Sequence, residues 1–419
     1  MTAPPIMNRW PARTFKLSFL QKNRLYLPAH LSAYLQDVLR MKPRGADLRA
    51  SLQAAMDWLI SAHDNGRGGV SGYYSFATGW NAPYPETTGY IIPTMFDYGE
   101  FSGQSVYRDR AIAMADWELG IQLANGAFPG GYADTASGPI VFNTGQVLQG
   151  LVRAYTETND ERYCTAARQA GIWLLSVQDP DGAWRKHTYR NTHHTYHTRV
   201  AWPLLQLHQV TQVQKFADAA ERNLQWALKN QQPNGWFKDN VLYLRTDNAL
   251  THSIAYAIRG FLESGLLLSN REYLSAAVTA SAALKDVFES TGWLPASFDF
   301  DWNSNDSYSC VTGNAQISGI WLRLYAVTGD LRYKNAALTM NSSLRASQNT
   351  RTANPAIRGG MKGSEPIYGS YMPFCYLNWA TKFFIDALIL EERSRTIDLT
   401  GVLEQPGQPA TTFDSMAKT

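Results

Sequence analysis

The segment from residue 187 to residue 199 holds the densest set of side chains that could carry out acid-base chemistry. It contains four of the eight histidines of the chain, together with tyrosines and arginines. Proton transfer on a molecule that carries a carboxylate needs a cation to neutralise that group, a base that removes a proton and an acid that supplies one. Arginine, histidine and tyrosine could fill these roles in that order. The catalytic candidates are His194, Tyr196, His197 and Arg199, with His252 as a neighbour from a later helix.

Two other interpretations of this segment stay open. It could be a hydrogen-bonded scaffold that holds the neighbouring loops in place. Its histidines could also bind a metal ion, since neutral imidazole is a common metal ligand. No carboxylate stands at a matching spacing, however, so the sequence predicts neither a metal site nor a cofactor.

A second set of candidates is acidic. Hydrolysis of a glycosidic bond needs two carboxyl groups on opposite sides of that bond, one of them protonated. Glu86 is expected to cap the start of the first inner helix, and Asp299 and Asp301 stand before the fifth, so they could face each other across a common site. Asp134, Asp247 and Asp306 are further acids of this set. Carboxylates near helix starts also cap helices, and that structural role remains an alternative for each of them.

These residues lie on a repeat that recurs about every 53 to 60 residues. Each copy pairs a helix that is apolar almost all round with an amphipathic helix, and the unit is therefore an αα-hairpin. The amphipathic helices begin near residues 48, 107, 163, 216, 273 and 333. The apolar helices are predicted at 88–98, 143–156, 198–210, 251–267, 313–326 and 378–391.

The two series are out of phase, because the first amphipathic helix has no apolar helix before it and the last apolar helix has no amphipathic helix after it. Pairing these two completes a sixth hairpin. The sequence therefore predicts an all-α fold, a closed (α/α)6 toroid of helical hairpins in which the N-terminal outer helix pairs with the C-terminal inner helix. An open solenoid is the alternative. We predict an N-terminal extension at 1–45, the toroid as catalytic domain at 46–393 and a flexible tail at 394–419.

Long connections lead from each outer helix to the next inner helix, and in a toroid all of them gather at one rim. Several start with a glycine followed by an aromatic residue, which could simply plug the end of the barrel. Aromatic rings also stack on the apolar faces of sugars, and amides bind sugar hydroxyls. The substrate-binding candidates are Trp80, Tyr84, Tyr90, Asn143, Trp184, Tyr189, Trp236, His252, Trp302, Asn314 and Tyr371.

The six hairpins and the Gly-aromatic connections resemble the six-hairpin (α/α)6-toroid carbohydrate-active enzymes. This group includes glycoside hydrolases, polysaccharide lyases and the helical domain of glucuronyl C5-epimerases, and the resemblance covers roughly residues 45 to 393. It implies a glycan substrate and an enzyme that cleaves a glycosidic bond in an oligosaccharide or a uronate-containing polysaccharide, with hydrolysis slightly favoured. The alternatives are a lyase or uronosyl C5-epimerase that uses His, Tyr and Arg, a non-catalytic glycan-binding or scaffold protein, and a peptide or terpenoid cyclase.

Composition narrows the partners. The 419 residues include 38 Lys and Arg against 35 Asp and Glu, so the net charge of +3 gives no reason to expect nucleic acid. No apolar stretch approaches the roughly 20 residues of a transmembrane segment. Three distant cysteines and the lack of a signal-peptide pattern favour the cytoplasm. Cationic residues in the long connections are compatible with an anionic glycan.

Overall fold

The computed structural model describes residues 17–41, 46–135, 137–241 and 248–400. Helices dominate, and the strands are two or three residues long. The helices are α1 (Leu17–Lys22), α2 (Pro28–Val38), α3 (Leu48–Asn65), α4 (Pro85–Ser102), α5 (Ser105–Ile121), α6 (Val141–Thr158), α7 (Glu161–Ser176), α8 (Thr198–Thr211), α9 (Gln214–Lys229), α10 (Thr251–Leu268), α11 (Arg271–Thr291), α12 (Val311–Thr328), α13 (Leu331–Ser347) and α14 (Asn378–Thr400). The strands are β1 (Tyr73–Ser75), β2 (Gly79–Trp80), β3 (Ala249–Leu250), β4 (Ser297–Phe298), β5 (Ser309–Cys310), β6 (Met361–Lys362), β7 (Ser364–Glu365) and β8 (Cys375–Leu377).

The even-numbered helices from α4 to α14 form a closed inner ring. Each packs against the next along the chain, and α14 packs back against α4. The first outer helix, α3, packs against α14, which completes the sixth hairpin. The predicted closed toroid is confirmed, and the open solenoid is excluded. Close approach of inner helices requires small residues: a Cβ on Gly150 would lie 2.2 Å from the carbonyl oxygen of Gly89.

The odd-numbered helices from α3 to α13 form the outer wall and bury one face each. In α9 the buried side chains include Phe216, Ala220, Leu224 and Ala227, which recur at helical spacing. Short turns join inner to outer helices at one end of the barrel. Asp160 before α7 and similar residues before α11 and α13 cap the outer helices there by accepting hydrogen bonds from backbone N–H groups.

The long connections meet at the opposite rim and are joined by short antiparallel ladders. A sheet in the order β2-β1-β8-β6 crosses the seam where the first and last repeats meet, with Tyr74 opposite Tyr376. The pairs β3–β4 and β5–β7 join other neighbouring connections. These ladders hold the rim as one surface around the inner-helix N-termini.

The N-terminal helices α1 and α2 also pack on this rim. The Lys362 ammonium lies 2.7 Å from an Asp37 carboxylate oxygen, and both side chains are buried. His30 stacks on Phe76 at a ring distance of 4.0 Å. At the other end of the chain, α14 continues past the predicted boundary at 393 to Thr400, and residues 401–419 of the predicted tail lie outside the described residues. No helix in the described ranges is long and apolar enough to cross a membrane.

Glu118 on α5 gives a first prediction about stability. Its carboxyl group is fully buried without a hydrogen-bond partner among the described residues, and burial raises its pKa well above 4.5. The folded chain therefore holds this proton more tightly than the unfolded chain, so stability falls as pH rises above about 4.5. We expect Glu118→Gln to remove a dependence of about 1.4 kcal/mol per pH unit from this part of the curve.

Urea unfolding of both proteins at a series of pH values measures this difference. Glu272→Gln, on an exposed helix start, is the matched control and should keep the wild-type slope. Identical slopes in wild type and Glu118→Gln would contradict the assignment.

Candidate active site

A group of polar and aromatic side chains, here called the cup, lies where the inner-helix N-termini meet the loop-rich rim. Glu86 is in the first turn of α4, which starts at Pro85. The Tyr84 hydroxyl donates a hydrogen bond to Glu86 Oε2 at 2.6 Å. Burial raises the pKa of Glu86 to about 7, although the hydrogen bond from Tyr84 opposes that shift. At neutral pH this carboxyl group is therefore about half protonated and can act as a proton donor.

His197 lies at the entrance to α8, at the end of a short 3-10 turn from Thr195 to His197. Its ring packs near Trp184 and Tyr196, with centroid distances of 6.0 and 5.0 Å. Neither ring nitrogen has a hydrogen-bond partner among the described residues. Burial, followed by the neighbouring His194, lowers its pKa well below 6.5, so the ring is neutral and can accept a proton.

The rings of His194 and Tyr196 pack beside the His197 ring. The two rings stack at 4.7 Å with an interplanar angle of 15°. His194 Nε2 is 2.8 Å from the carbonyl oxygen of Tyr189, whose own side chain is 40% exposed at the rim. Burial, followed by the charge of Glu86, raises the pKa of Tyr196 well above 10, which places that hydroxyl within electrostatic reach of Glu86.

His252 is the second neutral imidazole of the cup. It lies in the first turn of α10, and its Nδ1 is 2.7 Å from Oε1 of Gln316 on α12. Because an amide oxygen only accepts, Nδ1 donates and Nε2 carries the free lone pair. Burial lowers the pKa of His252 to about 4. The sequence alone could not pair these two residues, because they are 64 positions apart on two different helices.

Four aromatic rings, here called the aromatic floor, close the cup below these groups: Tyr90, Phe142, Tyr256 and Phe383. Tyr256 lies 4.9 Å from Phe142, and Phe383 lies 5.4 Å from Tyr90 and 6.2 Å from Tyr256. Tyr90 was a predicted substrate-binding residue, whereas the other three rings were missed. Residues four positions apart lie on the same face of a helix. Tyr90 and Tyr256 stand four positions after Glu86 and His252, and Phe383 stands four positions after Trp379. This spacing could have predicted that the three rings lie next to the cup.

Arg199 was expected in the cup as the partner of a substrate carboxylate. Its guanidinium instead lies 4.6 Å from the Trp202 ring and 6.0 Å from the Tyr256 ring, and it lines a cavity that includes none of Glu86, His197 and His252. The aromatic floor therefore stands between Arg199 and the cup.

The two aspartates expected to face Glu86 lie on the connection between β4 and β5. Asp299 Oδ1 accepts hydrogen bonds from the backbone N–H groups of Asp301 and Asn303, at 3.0 and 2.8 Å, and so stabilises a turn. Asp301 is exposed. No hydrogen bond or ion pair within the described ranges joins either residue to Glu86. Asp247, which precedes α10, lies outside the described residues.

The remaining substrate-binding candidates separate into two groups. Trp184 and Trp236 are buried and belong to the packing of the barrel end; the Trp184 indole donates to the Leu174 carbonyl at 2.9 Å. Trp302 packs against Trp236 at 5.3 Å.

The candidates of the second group lie at inner-helix starts or beside cup residues: Tyr84, Asn143, Asn314 and Tyr371. Trp80 is half-buried against Trp58. Asn143 donates to the Pro129 carbonyl, whereas the Asn314 side-chain oxygen has no partner in the described part of the chain.

A metal site was one of the open interpretations of the histidine segment. Within the described ranges, no three His, Cys, Asp or Glu side chains converge as a metal site. His193 instead pairs with Asp239, with Nε2 3.1 Å from a carboxylate oxygen.

Comparisons with known proteins define the class of fold. No protein-family model matches the chain, and no curated protein matches it in sequence. Among solved structures, it is similar to an unsaturated glucuronyl hydrolase specific for heparin, with a TM-score of 0.67, 17% identity and coverage of 84% of this chain and 98% of the other. It is also similar to the unsaturated glucuronyl hydrolase of Bacillus sp. GL1, with a TM-score of 0.65, 15% identity and coverage of 83% of this chain and 97% of the other. A third similar structure is the cellobiose 2-epimerase of Spirochaeta thermophila, with a TM-score of 0.65, 15% identity and coverage of 84% of this chain and 96% of the other.

These similarities span nearly the whole length of each neighbour, but at identities well below 25% they establish the fold alone. The chain has the (α/α)6 toroid of these sugar-processing proteins, as the resemblance in sequence implied.

Proposed function

We propose that this chain is a carbohydrate-active enzyme that transfers protons between Glu86 and a buried neutral histidine, His252 or His197. The observation that carries the proposal is the pairing, within one cup, of a carboxyl group with a pKa of about 7 and imidazoles that are neutral at the same pH. The named activities of the structural neighbours, which are glucuronyl hydrolases and cellobiose epimerases, support a sugar as substrate.

The first candidate reaction is epimerisation or β-elimination. A neutral histidine removes a proton from the carbon next to the carbonyl group of an open-chain sugar, or next to the carboxyl group of a uronate, and the electron pair moves onto that group. Return of a proton from Glu86 to the opposite face completes an epimerisation. Departure of the oxygen at the neighbouring carbon, protonated by Glu86, completes an elimination and leaves a double bond. Support comes from the two neutral imidazoles and the epimerases among the neighbours.

The second candidate is hydrolysis, which the sequence slightly favoured. Glu86 would protonate the departing oxygen while another group activates water. Its raised pKa supports that role, as do the hydrolases among the neighbours. Asp299, one of the two carboxylates predicted to activate the water, stabilises a loop turn, and Asp301 is exposed on the same loop. His252 would therefore have to activate the water. An anionic glycan and a cytoplasmic location stay predictions of the sequence.

A panel of oligosaccharides with and without uronate residues, incubated in D2O, separates these reactions. Deuterium in an intact sugar marks epimerisation, ultraviolet absorbance of a new conjugated double bond marks elimination, and new reducing ends without that absorbance mark hydrolysis. We expect one of these products and its loss in Glu86→Gln. A glycan that binds equally well to wild type and Glu86→Gln, and that neither protein alters, would overturn the proposal in favour of a non-catalytic glycan-binding protein.

A further inference from the structure

A second cavity lies inside the barrel, below the aromatic floor and toward the short-turn end. It has a volume of about 90 Å³, which is room for a handful of water molecules or a small ion. Tyr90 and Phe383 form its upper wall, and inner-helix residues further along the chain, such as Gln149 and Gly319, line the rest. This cavity, here called the lower lumen, includes none of Glu86, His197 and His252 in its lining, but it adjoins the cup through Gln316, the partner of His252.

The lining of the lower lumen is charged, and nearly every charge is paired. It carries three cations, Arg199, Arg259 and Lys382, and two carboxylates, Asp97 and Asp386. Lys382 pairs with Asp386, which also accepts a hydrogen bond from the Thr94 hydroxyl at 2.7 Å.

Two more charged residues of the lining, Asp97 and Arg259, form ion pairs with residues outside it. Asp97 lies 2.9 Å from Arg153 of α6. Arg259 lies 2.6 Å from Glu263, which also binds Arg323 at 2.6 Å. Since each of these groups has an ion-pair partner, Arg199 is the cation of the lining without a carboxylate at ion-pair distance among the described residues, and Glu263 acts on it only from further away.

Arg199 is 3% exposed, and its Nε and Nη1 atoms have no hydrogen-bond partner among the described residues. Contact with the Trp202 ring at 4.6 Å provides a cation–π interaction but no hydrogen-bond acceptor. Burial, followed by repulsion from Arg259, lowers its pKa to about 10, so the guanidinium stays charged at neutral pH. A buried guanidinium group whose donors lack acceptors is costly, and a guanidinium group that lines a cavity favours an anion there.

We propose that the lower lumen binds a small monovalent anion, of the size of chloride or formate, against the guanidinium group of Arg199. The anion offsets the charge of that group, and the volume of the cavity limits it to a small ion. Gln149, whose side-chain oxygen is unpartnered, lines the same cavity and can turn its amide N–H₂ toward the ligand.

Thermal unfolding in potassium bromide, compared with potassium fluoride at equal ionic strength, provides the first test. Bromide should raise the Tm of the wild type by about 2–3 °C more than the strongly hydrated fluoride does, because ligand bound only to the folded state stabilises it. Arg199→Met should lose this difference, and Gln149→Met should shift the half-saturating bromide concentration upward. Arg345→Met, which alters an ion-paired arginine on the outer helix α13, should keep the wild-type response.

Crystals of the wild-type protein grown in bromide provide the direct test, by anomalous scattering. An anomalous peak in the lower lumen within hydrogen-bond distance of Arg199 would support the proposal. No peak there, or a bromide response unchanged in both Arg199→Met and Gln149→Met, would overturn it. If Arg199→Met does not fold, Gln149→Met and the anomalous map still decide the question.

Discussion

Glu86→Gln is expected to lower kcat by a factor of about 10² to 10⁴, because a glutamine amide keeps the shape of the carboxyl group but cannot deliver a proton. The fold should be unaffected, since Glu86 makes its hydrogen bond to Tyr84 within the cup and carries no ion pair in the described part of the chain. Steady-state kinetics on the substrate found in the oligosaccharide panel measure the effect. Glu221→Gln, an exposed change on α9, is the matched control and should behave as wild type.

The same assignment fixes the pH profile. If His252 is the base and Glu86 the acid, kcat/KM should rise as His252 loses its proton near pH 4 and fall as Glu86 loses its proton near pH 7. Tyr84→Phe removes a hydrogen bond that stabilises the ionised carboxylate, and it should move the alkaline limb to higher pH. An alkaline limb unchanged in Tyr84→Phe would contradict the role of Glu86 as the titrating acid.

Glu263→Gln should cause a large loss of stability. The Glu263 side chain is 7% exposed and lies between Arg259 and Arg323, at 2.6 Å from each. Removing its charge leaves two guanidinium groups, on side chains about a quarter exposed, without their ion-pair partner, and loss of one partner of a buried pair typically costs about 3–5 kcal/mol. For a chain of this size the Tm should fall by roughly 3–6 °C. Differential scanning calorimetry measures the change.

The pH dependence of the same pair has a definite sign. Burial alone would raise the pKa of Glu263, but Arg259 and Arg323 outweigh it and lower that pKa. The stability that this carboxylate contributes is therefore present above its unfolded pKa and is lost as pH falls through the lower folded value. Glu289→Gln is the control, because Glu289 is half exposed in its pair with Lys285 and should contribute less than about 1 kcal/mol. Equal losses in both variants would contradict the account of the lower lumen.

The toroid could be predicted because its two helix types differ in the sequence itself. Inner helices must be apolar all round and outer helices need one apolar face, so the alternation is visible at a period of 53 to 60 residues. The unpaired helices at the two ends then imply closure. The same reasoning located His252 in the first turn of its helix, where the structure has it, and expected Glu86 as a cap, whereas α4 begins at Pro85 and has Glu86 in its first turn.

Contacts between helices were harder to predict. The bond between His252 and Gln316 depends on the rotation of two helices about their axes, which the periodicity of either one alone does not fix. The lower lumen was missed for a related reason: Arg259 and Lys382, which line it, are isolated charges in largely apolar stretches of their helices, and only their convergence reveals a charged cavity. Asp299 appeared suitable by its position before α12, but its carboxylate stabilises a loop turn.

A crystal structure of Glu86→Gln with its oligosaccharide substrate tests the central claim most directly, because this variant should bind the sugar without consuming it. The account predicts a sugar ring in the cup, above Tyr256, with a reacting atom within about 3.2 Å of the residue 86 side chain or the Nε2 atom of His252. A sugar bound only on the outer wall or along the short-turn end, away from both side chains, would contradict it.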